Sequence, residues 1–164
     1  MGLDMYLWRD VYIGASWHSE YRIQVDIKDT SNTNPKTFSI HPQKINSIRE
    51  EFGYWRKANQ IHKWFVDNVQ DGQDDCKPYY VSKDKLKELL DTCNKVITYR
   101  DKPLSKEVEQ ALDSLLPTQS GFFFGGLEYD EWYFDQIQDT IDILNQVDFS
   151  EDEYPVSYYY EASW

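Results

Sequence analysis

Between Phe52 and Phe65 the chain reads FGYWRKANQIHKWF, and its asparagine and histidine are spaced so that they could do chemistry. Read as a helix turning about 100° per residue, Glu51, Trp55, Ala58, His62, Phe65, Val66 and Val69 share one face, with Ile48 and Asn59 at its edge. A buried polar group without a partner costs a few kcal/mol, so His62 and Glu51 must both be partnered. Two readings of His62 stand side by side. In one it bonds a backbone carbonyl or a tyrosine of the core; in the other it lines a polar pocket together with Asn59.

Neighbouring residues extend the second reading. Arg56 and Lys57 offer donors for a phosphate, and Tyr54 or Trp64 offers a stacking surface. With Glu51 as its orienting carboxylate, His62 has the makings of a general acid or base. Gly53 inside such a helix costs about 1 kcal/mol relative to alanine, which marks either a kink or a close approach by another group. The turn carrying Gln119 and Ser120 offers further side-chain and backbone donors, or simply feeds a buried strand.

Other constellations are incomplete. DNVQDGQDDCKP places Asp67, Asp71 and Gly72 as a calcium loop would, but Val69 stands where an oxygen ligand is needed and Pro78 where the bidentate glutamate belongs. His18, His41, His62, Cys76 and Cys93 have no zinc-ligand spacing. Cys76 with His62 lacks the third orienting group of a nucleophilic site, and no P-loop, dinucleotide fingerprint or nucleophile elbow occurs. No metal or cofactor is expected.

The elements that must hold these residues follow from periodicity. LDMYL near the start and YRIQVDIKD from Tyr21 alternate as half-buried strands do, TFSI from Thr37 adds a short strand, and DTSNTNPK between them is rich in turn formers. Helical spacing then predicts helices over roughly 43–69, 83–98, 106–116 and 130–147. Ser82, Ser105 and Asp130 cap the last three, and Cys93 lies on the apolar stripe of the second. The three consecutive phenylalanines of GFFFGG read as a short buried strand, and the tail from Asp148 as an acidic and aromatic segment able to add an edge strand. The expected architecture is α+β: one domain over 1–164, with a small antiparallel sheet packed against about four helices.

Composition narrows the partners. The net charge of −12 and the pI near 4.6 disfavour direct binding of nucleic acid or anionic membranes. Residues 43–64 nonetheless carry Lys44, Arg49, Arg56, Lys57 and Lys63 against only Glu50 and Glu51, an island suited to an anionic ligand. No apolar run approaches the ~20 residues a membrane helix needs, and the two cysteines suit a reducing, cytosolic setting.

The blocks MGLDMYL, GYWRKANQIHKWFVDNVQDGQDDC, YYVSKDKLKELL and LPTQSGFFFGGLEYDEWYF resemble a family of small proteins encoded by tailed phages and prophages. The resemblance implies a phage accessory protein acting in the host bacterial cytoplasm, and it carries no catalytic residues over to this chain. The leading expectation is a non-catalytic protein that sequesters a small anionic or nucleotide-like ligand, counteracting host antiphage defence. In it Arg56 and Lys57 hold charge, Asn59, His62, Gln119 and Ser120 orient polar groups, and Trp55, Phe123 and Tyr133 wall the pocket. The alternative is an acidic protein-interaction module that inhibits a host nucleic-acid enzyme by mimicking DNA, using Asp148, Glu151, Asp152, Glu153 and the acidic fourth helix. A small nucleotide-modifying enzyme is the third. The expected partner is thus a small anion or a host protein, with self-association left open.

Overall fold

Leu3, Met5 and Leu7 are fully buried while Asp4, Tyr6 and Trp8, which alternate with them, are not, the signature of a strand with one face on a core. The computed structural model describes residues 2–12, 45–150 and 156–164. Four strands, β1 (Asp4–Tyr12), β2 (Ser47–Arg56), β3 (Tyr79–Val81) and β4 (Val156–Ser163), form an antiparallel sheet in the order β2-β1-β4-β3. Four helices accompany it: α1 (Asn59–Asn68), α2 (Lys83–Val96), α3 (Lys106–Leu115) and α4 (Glu131–Leu144), with a 3-10 turn at Ile97–Tyr99 after α2. The α+β architecture expected from periodicity is present. The strands expected at Tyr21 and Thr37 lie outside the described residues.

The helix expected over 43–69 is instead strand β2 followed by the shorter helix α1. Gly53 and Trp55 point into the core while Tyr54 and Arg56 do not, a two-residue period that replaces the helical one. Pairing with β1 slips between Leu7 and Trp8, so that Leu7 faces Gly53 but Trp8 faces Glu51, leaving Phe52 as the extra residue of a bulge. The chain then turns at Lys57, whose φ is 58°. Helix α1 begins after Ala58, which has no capping side chain, so the usual polar marker of a helix start is missing there.

The other helix starts match expectation. Ser82 accepts from the Lys85 amide, Ser105 from the Val108 amide and Asp130 from the Tyr133 amide. Cys93 sits fully buried in the core, where burial pushes its thiol up to about 12. Two other expectations change. The Phe122–Phe124 run is a loop, and only Phe124 is buried. The tail strand is β4, interior to the sheet between β1 and β3: Tyr158, Tyr160 and Ala162 alternate inward, all three pair with β1, and Tyr158 and Tyr160 pair with β3 as well.

Gly53 is a close approach and not a kink. A Cβ there would lie 2.7 Å from Cγ2 of Ile143, where α4 crosses β2. Gly53→Ala is expected to lower stability in urea unfolding by about 1–3 kcal/mol, the cost of overpacking a filled site. Adding Ile143→Ala, which removes the obstructing methyl, should recover part of that loss; independent, additive costs would contradict the contact.

Candidate functional site

The side chain of Asn59, 2% exposed, ties helix α1 to the 119–126 loop. Its Nδ2 donates to the carbonyls of Gly126 (2.8 Å) and Phe124 (3.3 Å), while its Oδ1 accepts from the Gln119 amide (2.8 Å). One carboxamide therefore satisfies three backbone groups of the loop. Gly125 completes the fit: its φ is +106°, and a Cβ there would come within 2.9 Å of the Lys57 carbonyl. Thr118 closes the base of the loop by donating its hydroxyl to the Leu127 carbonyl at 3.1 Å.

His62 is fully buried, with both ring nitrogens engaged: Nδ1 lies 2.8 Å from the Tyr160 hydroxyl and Nε2 3.1 Å from Asp74 Oδ2. A carboxylate can only accept, so the proton of the neutral ring is assigned to Nε2, and the Tyr160 hydroxyl donates to Nδ1. Phe124 meets the imidazole edge-on at 5.3 Å and Trp164 lies 5.6 Å away. Burial lowers the His62 pKa from its usual 6.5, partly offset by the Asp74 carboxylate. Burial also holds the Tyr160 phenol far above its usual value. The orienting carboxylate of His62 is thus Asp74, not Glu51, which is exposed on the outer face of β2.

Polar side chains from the inward face of α4 finish the turn into α1. Gln136 accepts from Gln60 Nε2 at 2.9 Å and donates to the Lys57 carbonyl at 3.2 Å. Thr140 accepts from the Trp55 indole at 2.9 Å and returns its own proton to the Gln136 carbonyl at 2.7 Å. Tyr133 donates to the Leu116 carbonyl. These bonds hold the uncapped, positive-φ turn in place.

The nine residues named from sequence therefore divide. Trp55 is core, Asn59 and His62 are bonded inside the protein, and the Gln119 backbone is bonded to Asn59. Lys57 and Tyr133 share a cleft of about 90 Å³ with Gln60, Glu128, Trp132 and Gln136. Arg56 stands on the outer sheet face 3.9 Å from Asp4, and Ser120 and Phe123 are exposed. The basic island is largely neutralised, Arg49 by Asp10 and Lys63 by Asp67. Lys44 lies outside the described residues. Among the described residues no group of three His, Cys, Asp or Glu side chains could hold a metal, and no helix is long and apolar enough to cross a membrane.

What the spacing did not reveal is the surface this scaffold holds out. Phe122 is 79% and Phe123 52% exposed, the latter at φ 64°, and Leu127 and Trp132 are also exposed. Glu128, Asp130 and Glu131 stand among them in the chain, and α4 continues with Asp135, Asp139 and Asp142. Burial and the two flanking carboxylates raise the Asp139 pKa. Beside α4 runs a second cleft, of about 240 Å³, lined by Tyr99, Arg100, Asp101, Lys102, Tyr129 and Phe134, among others. A scan against protein families and searches of curated proteins and of solved structures each found no match to this chain.

His62 gives the site a pH signature. With its folded pKa below 6.5, the unfolded chain takes up the proton first as pH falls. Stability is therefore complete above about pH 6.5 and declines as pH drops toward the folded value. Urea midpoints measured from about pH 7.5 down to about pH 5 should fall, and His62→Gln should flatten that fall. An equal slope in the variant would show that other groups carry it.

Proposed function

We propose that this protein is a non-catalytic interaction module, a phage accessory protein that docks on a basic surface of a host protein. The observation that carries the reading is the pairing of a pinned loop with exposed phenylalanines. Large apolar side chains in solvent are ordinary when scattered, but here Phe122, Phe123 and Leu127 share one short loop that the buried Asn59 holds at Gln119, Phe124 and Gly126. A loop ordered before binding loses little entropy on docking, and buried aromatic anchors dominate interface energies. The carboxylates of Glu128, Glu131 and the α4 row supply the rim, and they select a partner rich in Lys and Arg, as nucleic-acid enzymes are. Asp148 adds to that charge; Glu151, Asp152 and Glu153 lie outside the described residues.

Capture of a small anionic or nucleotide-like ligand is the second reading. It draws on the 240 Å³ cleft, where Arg100 and Lys102 stand among Tyr99, Tyr129 and Phe134. Against it, Arg100 already pairs with Asp135, Lys102 rests over the Tyr99 ring at 4.1 Å, and Asp101, Asp130 and Glu131 share the lining.

Native mass spectrometry of the protein purified from bacterial cytoplasm separates the two. The interaction reading predicts a complex with a second polypeptide that is lost in Phe122→Ser/Phe123→Ser, with the variant's thermal unfolding unchanged. A bound species of metabolite size, indifferent to those substitutions, would overturn it in favour of ligand capture.

A further inference from the structure

The sheet face turned away from the core carries a band of five aromatic rings. Cross-strand pairing sets Tyr80, Tyr159, Trp8 and Glu51 in one row and Glu161, Tyr6 and Tyr54 in the next. The rows on either side hold Asp10 opposite Arg49 and Asp4 opposite Arg56. Met5, Leu7, Trp55, Tyr158 and Tyr160 point the other way, into the core, so the band is the outer face. Tyr54 is 42% and Tyr80 61% exposed. The rings touch in sequence: Tyr6 stacks on Trp8 and tilts against Tyr54, both at 5.4 Å, and Tyr80 meets Tyr159 edge-on at 6.0 Å. Spending that many large rings on the face that has no core to build is costly unless something covers them.

Charge selects the occupant. Both guanidinium groups on this face are already answered, Arg49 by two hydrogen bonds to Asp10 and Arg56 by Asp4. The aromatic rows add two glutamates, Glu51 and Glu161, so that among the described residues four carboxylates share this face with two guanidinium groups, Glu161 feeling the charge of Arg49 beside Asp10. Glu161 accepts from the Trp8 indole at 2.9 Å, and Glu51 is exposed at the end of its row. An anionic polymer would meet net negative charge here, and a neutral sugar would leave the excess of carboxylates over guanidinium groups unanswered. The face also shows how it receives a cation: the Arg49 guanidinium lies 5.6 Å above the Tyr159 ring.

We infer that this outer sheet face is a docking surface for an arginine-bearing extended segment of a partner protein. Guanidinium groups stack on the rings of Tyr54, Trp8 and Tyr80, and Glu51 and Glu161 accept their N–H groups. An extended chain laid along the strands presents alternate side chains to one face, at the spacing that separates successive rows. The inference stands on residues separate from the Phe122 loop and survives failure of that docking surface.

The test is calorimetric titration with a peptide of alternating glycine and arginine at about 0.15 M salt. The wild type is compared with Tyr54→Ala/Tyr80→Ala and with Asp84→Asn/Asp91→Asn, two exposed carboxylates of α2 away from both surfaces, all checked for unchanged thermal unfolding. Binding should weaken about tenfold in the tyrosine variant, the size of two exposed cation–π contacts, and change less than about twofold in the aspartate variant. Equal weakening in both variants would mean diffuse attraction to an acidic protein and would overturn the proposal. So would failure of the peptide to bind, or tighter binding of cellohexaose or of oligothymidylate to the same rings.

Discussion

Three hydrogen bonds to one buried carboxamide hold together the part of this fold that lacks regular structure. The 119–126 loop has no helix or strand to satisfy its backbone, and an unpaired buried amide or carbonyl would cost as much as a lost hydrogen bond. Asn59 meets that need from the first position of α1. Because α1 starts without a capping side chain, Asn59 is itself held by what surrounds it: Gln60 bonds Gln136, and Gln136 bonds the carbonyls of the preceding turn. Core polarity is here a means of fixing two non-repetitive segments against each other. It is fully satisfied at Asn59, His62 and Gln136, which is the condition under which buried polar networks add specificity without a large penalty.

His62 belongs to the same economy. It links Tyr160 of β4 to Asp74 of the loop after α1, and Phe65 stacks on Tyr160 at 3.9 Å on the other side. A leucine at that position would pack, but it could not tie an interior strand to a loop. The polar groups that looked like the lining of a pocket are braces, and what they brace is a surface of exposed rings.

Much of the fold was legible. Period-two alternation marked β1, and caps at Ser82, Ser105 and Asp130 marked three helix starts. Residues 47–58 misled because a strand and a helix can place the same side chains inward: Trp55, Ala58, His62 and Phe65 are buried either way. Gly53 was the sign of trouble, and the bulge at Phe52 hid the alternation that would have revealed a strand. The interior place of β4 could not be read locally, since strand order depends on pairing across the whole chain. Likewise three adjacent phenylalanines suggest burial on composition alone, whereas two of them face solvent in a loop that takes positive φ at Phe123 and Gly125.

Hydrogen exchange at the Gln119 amide tests most directly whether Asn59 pins the loop. That amide donates to Asn59 Oδ1, so Asn59→Ala should accelerate its exchange by at least about tenfold, together with amides across Gly121–Gly126, while α2 keeps its protection. Unchanged exchange at Gln119 in a folded Asn59→Ala protein would contradict the account, because the loop would then owe its order to something other than that side chain.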